Sequence, residues 1–146
     1  MPETGPNTMR CDIVSARREL FSGEVTRCVV YGTAGELGIY PRHAPLMTTL
    51  RAGEVRVLKP DDEEISFIIG GGILEVMPHL VTVLVDHAVR ATDIDEAAAR
   101  HAKAEAEREL LSRTGEMEIA EAEAKLAEAL AQLQALERLR RKLRRK

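Results

Sequence analysis

The chain has 146 residues and a formal net charge of −3, with 45% apolar, 31% charged and 3% aromatic residues and no tryptophan. That composition supports a real core in one medium domain, or in a small domain with an appendage. It excludes a wholly basic nucleic-acid binder and an aromatic stacking platform for bases or sugars, and no apolar run approaches the roughly 20 residues of a membrane span.

Residues 1–8 read as a polar, disordered leader with Pro2, Gly5, Pro6 and nothing to bury. Met9 is a candidate start, and the segment before it lacks the apolar stretch of a signal peptide. A first strand is expected around Cys11, Ile13 and Val14, and a second over Val25 to Tyr31. Two more, Glu36 to Tyr40 and Leu46 to Leu50, flank a turn built on Pro41 and Pro45. Glu54 to Lys59 alternates polar and apolar as a half-buried strand does, and Pro60-Asp61-Asp62 turns the chain. Ile65 to Ile69, Ile73 to Met77 and Leu80 to Asp86 complete the set. Many short strands with closely spaced turns predict an antiparallel sandwich or barrel. Gly70-Gly71-Gly72 inside an apolar stretch predicts a bulge or bend where one backbone passes close to another.

The composition changes near Arg90. Nine of the ten glycines and all six prolines lie before it, while Ala, Glu, Leu and Arg dominate after it. Strong helix formers without breakers predict helices. Thr92 or Asp93 is the expected cap of a helix running to Ser112, with Asp95 and Glu96 favourable to its dipole. Ser112 to Gly115 breaks it, and a second helix starts near Glu116 with an apolar stripe of Ile119, Leu126, Leu130, Leu133, Leu136, Leu139 and Leu143. Ala97, Ala98, Ala102 and Ala104 on the first helix form the expected close-packing face of an antiparallel hairpin. Twelve acids against five bases lie between Ala91 and Glu137. The final nine residues then hold seven bases and no acid: Arg138, Arg140, Arg141, Lys142, Arg144, Arg145 and Lys146. Their mutual repulsion is expected to weaken the last turns.

Catalytic signals are nearly absent. The Gly32, Gly35, Gly38 series precedes a strand and has no following Gly-Lys-Ser/Thr, so it reads as hairpin glycines rather than a phosphate loop. No serine sits in a nucleophile elbow. His43, His79, His87 and His101 show no metal-ligand spacing. Cys11 and Cys28 read as small apolar core residues rather than a disulfide. One segment stands out, Gly35 to Leu46, where Ile39 and Tyr40 sit in a proline-fixed turn with Glu36 and His43. It reads either as a rigid contact surface or as a hairpin whose Ile39 and Tyr40 are partly core.

Those residues carry a resemblance. Gly-Glu-Leu-Gly-Ile-Tyr-Pro-Arg-His-Ala-Pro at 35–45 resembles the signature of the epsilon-subunit family of bacterial F-type ATP synthases. Phe21-Ser22-Gly23 resembles that family's early strand turn, and Gly71 to Val76 its later Gly-Gly-x-Leu-Glu-Val segment. The resemblance runs from about Met9 to the C-terminus. It implies an N-terminal flattened antiparallel β-sandwich over 9–90 followed by a C-terminal two-helix antiparallel hairpin over 91–146. It also implies a non-catalytic rotor subunit at the cytoplasmic face of the bacterial inner membrane, peripheral to that membrane. The implied partners are the gamma subunit and the c-subunit ring, with alpha and beta met when the hairpin extends and inhibits ATP hydrolysis. Glu36, Ile39, Tyr40 and His43 inherit the interface role, and the seven bases from Arg138 to Lys146 become a regulatory tail.

One departure bears on cofactors. Some family members bind ATP on the hairpin through Ile/Leu-Asp-x-x-Arg-Ala-x-x-Ala. Here Ile94, Asp95 and Ala102 match, but Ala98 replaces the arginine and cannot give a phosphate its charge-assisted hydrogen bonds. Arg100 is displaced by about 200° around a helix. No cofactor is expected, with Ile94, Asp95 and Arg100 as the candidates for weak nucleotide binding. Two other classes are distinguishable by experiment. A free-standing adaptor with a helical oligomerisation hairpin would self-associate, and a nucleic-acid binder using the basic tail would show salt-dependent DNA binding.

Overall fold

The computed structural model of the chain describes residues 7–145, so most of the expected leader (1–6) and Lys146 lie outside the described residues. Ten strands come first: β1 Met9–Ser15, β2 Glu19–Val25, β3 Arg27–Gly32, β4 Gly35–Ile39, β5 Leu46–Leu50, β6 Gly53–Leu58, β7 Glu64–Ile69, β8 Gly72–Met77, β9 Leu80–Val85 and β10 Ala88–Arg90. A 3₁₀ turn at Ala91–Asp93 leads into helix α1, Glu96–Ser112, and helix α2, Glu116–Arg144. The strands hydrogen-bond in the order β10-β7-β6-β3-β5-β8-β9-β1-β2, with β4 on β3. The sheet folds over a core drawn from nearly every strand, including Met9, Ile13, Val30, Ile39, Leu74 and Val83. This is the sandwich with a helical hairpin that the sequence predicts. All but one of its strand pairs are antiparallel; β1 and β9 run parallel, with Arg10 opposite Leu80 and Ser15 opposite Val85.

Two local expectations are corrected and one strand is added. The strand expected over Val25 to Tyr31 is two strands. Val25 pairs with Met9 while Arg27 pairs with Leu58, so the chain changes partner at Thr26, whose N–H donates to the Leu58 carbonyl at 2.8 Å. Phe21-Ser22-Gly23 is not a turn but the middle of β2, opposite Ile13, Asp12 and Cys11. The turn precedes it, closed by the Ser15 N–H on the Arg18 carbonyl at 2.9 Å. The three-residue β10 carries no periodicity of its own and exists because Val89 pairs with Ile68 on β7.

The glycine run behaves as expected. Gly71 has φ +118°, a conformation open to glycine, and a Cβ on Gly72 would lie 2.1 Å from the Leu84 carbonyl oxygen. In the hairpin, Asp95 rather than Thr92 or Asp93 caps α1, its carboxylate accepting the Ala98 N–H at 3.2 Å. The close-packing alanines are also different ones. Ala97, Ala98, Ala102 and Ala104 are exposed, while Ala99 and Ala106 on α1 and Ala122, Ala129 and Ala135 on α2 are buried. The leucine stripe is only partly covered, and Leu143 is exposed. A second, small cluster joins hairpin to sandwich: Ile68, Ala91 and Ala135, with Val89, Ile94 and Ala131 against them.

Candidate interaction surfaces

On β4 the side chains alternate. Leu37 and Ile39 point into the core, while Glu36 and, just past the strand, Tyr40 point outward. Ile39 is 1% exposed, so its side chain is core and not contact surface, a correction to the grouping of four. Tyr40, by contrast, is 56% exposed. The following loop is pinned at both ends. Arg42 sits at φ 65° with its N–H on the Pro78 carbonyl at 2.8 Å, and the His43 N–H reaches the Tyr40 carbonyl at 3.2 Å. His43 Nδ1 lies 2.7 Å from the Ala44 carbonyl oxygen, a contact that requires the proton on Nδ1. The turn thus presents Tyr40 on a backbone with little freedom left to lose.

Glu36 is the outward group at the start of β4, opposite Tyr31 on β3. The Tyr31 hydroxyl donates to it, and the phenol's pKa is pushed up first because ionisation would forfeit that hydrogen bond, then by burial and the neighbouring carboxylate. Arg56 Nη2 stands 3.5 Å from Glu36 Oε1, while Arg56 Nε stands 3.4 Å from Glu54 Oε1. Arg138 of α2 makes its ion pair with that same Glu54 oxygen. Glu54 is buried, the one charged side chain so placed among the described residues. Sequence reading missed it because Glu54 and Arg56 share the polar phase of β6, which alternation assigns to solvent. Here α2 covers that phase.

A second surface was also missed. On β5, β8 and β9 the outward phase also carries large apolar residues, interleaved with Thr49, Glu75 and Thr82. Met47, Ile73, Met77 and Leu84 are 68%, 43%, 44% and 46% exposed. Ile73 lies opposite Leu84 and Met77 opposite Leu80, with the Glu75–Thr82 pair between them and Met47 opposite Glu75, so the apolar groups flank a polar centre. The signal was in the sequence: Leu46-Met47, Ile73-Leu74 and Leu84-Val85 are apolar in both phases, more than a half-buried strand needs.

The basic tail is helical to Arg144 rather than frayed, because carboxylates absorb much of its charge. Arg138 takes Glu54 and Arg140 takes Glu96, while Arg141 and Arg144 lie 3.6 and 3.8 Å from Glu137. Glu96 also accepts from Arg100 Nη2 at 2.9 Å. Arg140 first, then Arg100, hold its pKa down to about 2. The three nucleotide candidates therefore have structural employment: Ile94 packs in the small cluster, Asp95 caps α1, and Arg100 is paired. Among the described residues no group of three or more His, Cys, Asp or Glu is placed to hold a metal. Cys11 and Cys28 are buried free thiols in contact, and that contact with burial raises the Cys11 pKa well above its usual value.

The fold and these surfaces define a contact subunit, one that works through what it touches. The family model of the ATP synthase delta/epsilon chain beta-sandwich domain matches residues 8–91, and that of the delta/epsilon long alpha-helix domain matches 92–137. Chains called ATP synthase epsilon chain from Stenotrophomonas maltophilia K279a and Xanthomonas euvesicatoria pv. vesicatoria 85-10 are 61% and 59% identical over 137 residues, spanning 94% of this chain and 98% of each relative. A chain in the Euglena gracilis mitochondrial ATP synthase OSCP/F1/c-ring structure shares the fold with a TM-score of 0.80 at 20% identity, covering 93% of this chain and 86% of that one. One from the Tetrahymena thermophila mitochondrial central stalk/c-ring follows at TM-score 0.58 and 11% identity, covering 92% and 99%. The chain belongs to the ATP synthase epsilon-chain family, central-stalk subunits of the F-type enzyme that do not carry its catalysis.

Proposed function

We propose that the chain is the rotor component that links proton flow to ATP synthesis in a bacterial F-type ATP synthase, and that its helical hairpin restrains ATP hydrolysis. In this reading the sandwich holds the gamma subunit and rests on the c-subunit ring. The complex is then membrane-bound, with this chain peripheral on the cytoplasmic face of the inner membrane. The observation that carries the reading is the set of exposed apolar side chains on β5, β8 and β9, with Met47, Ile73, Met77 and Leu84 left in water around the Glu75–Thr82 pair. A patch of that kind on a sandwich with a complete core fits a permanent partner, and gamma is the partner assigned to it. The Tyr40 turn, rigid and separately exposed, is assigned to the ring, with Glu36 at the other end of β4.

The hairpin's docking fits a reversible element. Its α2 contacts in the joint are the methyls of Ala131 and Ala135, each worth about 0.8 kcal/mol on burial, supplemented by ion pairs. Released, it carries exposed Leu111, Met117 and Leu143 to alpha and beta. ATP binding on the hairpin is expected to be weak or absent, since Ala98 offers no charge and Arg100 is held by Glu96.

The test is reassembly with gamma and the ring. Met77→Asp should cut retention of gamma by at least roughly tenfold, the loss of one large apolar contact. Tyr40→Asp should weaken the ring contact instead, both with unchanged circular dichroism. Loss of neither contact would overturn the surface assignment. Removing residues 138–146 should raise ATP hydrolysis and leave synthesis largely intact; unchanged hydrolysis would overturn the restraining role of the tail.

A further inference from the structure

The polar chain Tyr31–Glu36–Arg56–Glu54–Arg138 runs from β3 and the outward face of β4, across β6, to α2. We propose that it is a latch: Glu54 holds the hairpin against the sandwich through Arg138, and the charge state of Glu36 sets how firmly. This rests on the reading above that β4 faces a partner and that the hairpin can leave.

The argument is a charge balance. Before Arg138 arrives, Glu36, Glu54 and Arg56 sum to one net negative charge, and Arg138 neutralises it. When a cationic group on a partner takes up Glu36, the remaining pair of Glu54 and Arg56 is already neutral. Arg138 then brings an uncompensated positive charge to a partly desolvated place, and its docking loses much of its drive. The geometry of Arg56 supports this. It is divided between two carboxylates at 3.5 and 3.4 Å, and its Nε is buried without a hydrogen-bond acceptor. Relieved of Glu36, it can close on Glu54 and satisfy that N–H, at the expense of Arg138, which uses the same oxygen. The packing around the pair leaves room for such a shift, because a cleft of about 280 Å³ separates α2 from the sandwich there, bordered by Tyr31, Gly53, Glu54, Leu130, Gln134 and Arg138.

Other ties hold α2 and limit what the latch does alone. His87 Nε2 meets Glu128 Oε1 at 2.7 Å, and Ala135 packs on Ile68. The Glu96–Arg140 pair ties α2 to α1 and travels with the hairpin. The latch is therefore the sandwich-to-hairpin contact that senses β4, beside two that do not.

Energy transfer between dyes on Thr33→Cys and Met117→Cys in the full-length chain reads the docked fraction. Both positions are exposed, whereas the native cysteines are buried. Arg138→Gln should raise the open population by at least roughly tenfold, as expected for loss of a hydrogen-bonding charge, and Arg138→Lys should restore much of the docking. Glu36→Gln should raise it by a smaller factor, about threefold, and this increment should vanish in the Arg56→Met background. An Arg138→Gln chain that stays docked would overturn the latch. A Glu36→Gln chain that stays docked while Arg138→Gln opens would overturn the link to β4. Glu54→Gln serves as a further check, with the urea melt of the sandwich separating opening from unfolding. None of these readings uses gamma or the ring, so failure of the partner assignments registers only in reassembly.

Discussion

At the scale of single residues, backbone clearance decides more than chemistry does. Gly72 is required because β9 passes it so closely that any Cβ would collide with main chain, at 2.1 Å from Leu84 O and 3.1 Å from Val85 Cα. Backbone cannot step aside as the tip of a flexible side chain does. Gly72→Ala should therefore cost about 3 kcal/mol in urea unfolding, the upper range for overpacking. Gly38→Ala, which meets only the edge of the Tyr40 ring at 3.6 Å, should cost far less. The need for glycine was legible from the apolar surroundings of the run, but its partner was not, because the strand pairing lies outside any local pattern. Ile39 shows the opposite case. Its inward phase followed from the alternation of Leu37 and Ile39, and grouping it with Tyr40 on the strength of a motif obscured that.

At the scale of elements, the two helices were legible in extent and misread in phase. α1 has alanine at 97, 98, 99, 102, 104 and 106, and so many small residues give the helix no distinct apolar stripe. The packed face is set by α2 and emerges only in three dimensions. What the hairpin lacks in apolar contact it draws partly from Glu96, gripped by Arg140 and Arg100. Its carboxyl is held near pH 2, below the ordinary 4.5. A depressed carboxylate contributes stability that is complete above its unfolded value and lost as pH falls through its folded one. The prediction is that hairpin stability, followed by hydrogen exchange in α1 and α2, declines between about pH 4.5 and 2, and that Glu96→Gln flattens the decline within that window. Equal pH profiles for the two chains would remove Glu96 from the hairpin's balance.

At the scale of the molecule, the sandwich owns nearly all of the large buried side chains. The joint with the hairpin is narrow: Ile68, Ala91 and Ala135, the Glu54 pair and the His87 pair. A chain ending after Arg90 should therefore fold, keep its β circular dichroism, and lose only modest stability from uncovering Ile68. An unfolded product would show that the hairpin is part of the sandwich's core. The two-part plan was legible because glycine, proline and β-branched residues stop where alanine and glutamate begin. The Glu54–Arg138 contact was not, since its partners lie at opposite ends of the chain and each looks, in its own neighbourhood, like a solvated charge.

The parallel seam between β1 and β9 sets a timetable. β1 is the first of the described strands, and its antiparallel partner β2 follows directly after the turn. Its other edge has no partner until residues 80–85 have been made. Closure of the sandwich is thus a late event dominated by distant contacts, a topology that folds slowly. In the interval the growing chain displays an unpaired strand edge open to pairing with a neighbour. Nascent chains whose emerged segment ends before and after Val85 should differ sharply in protease resistance.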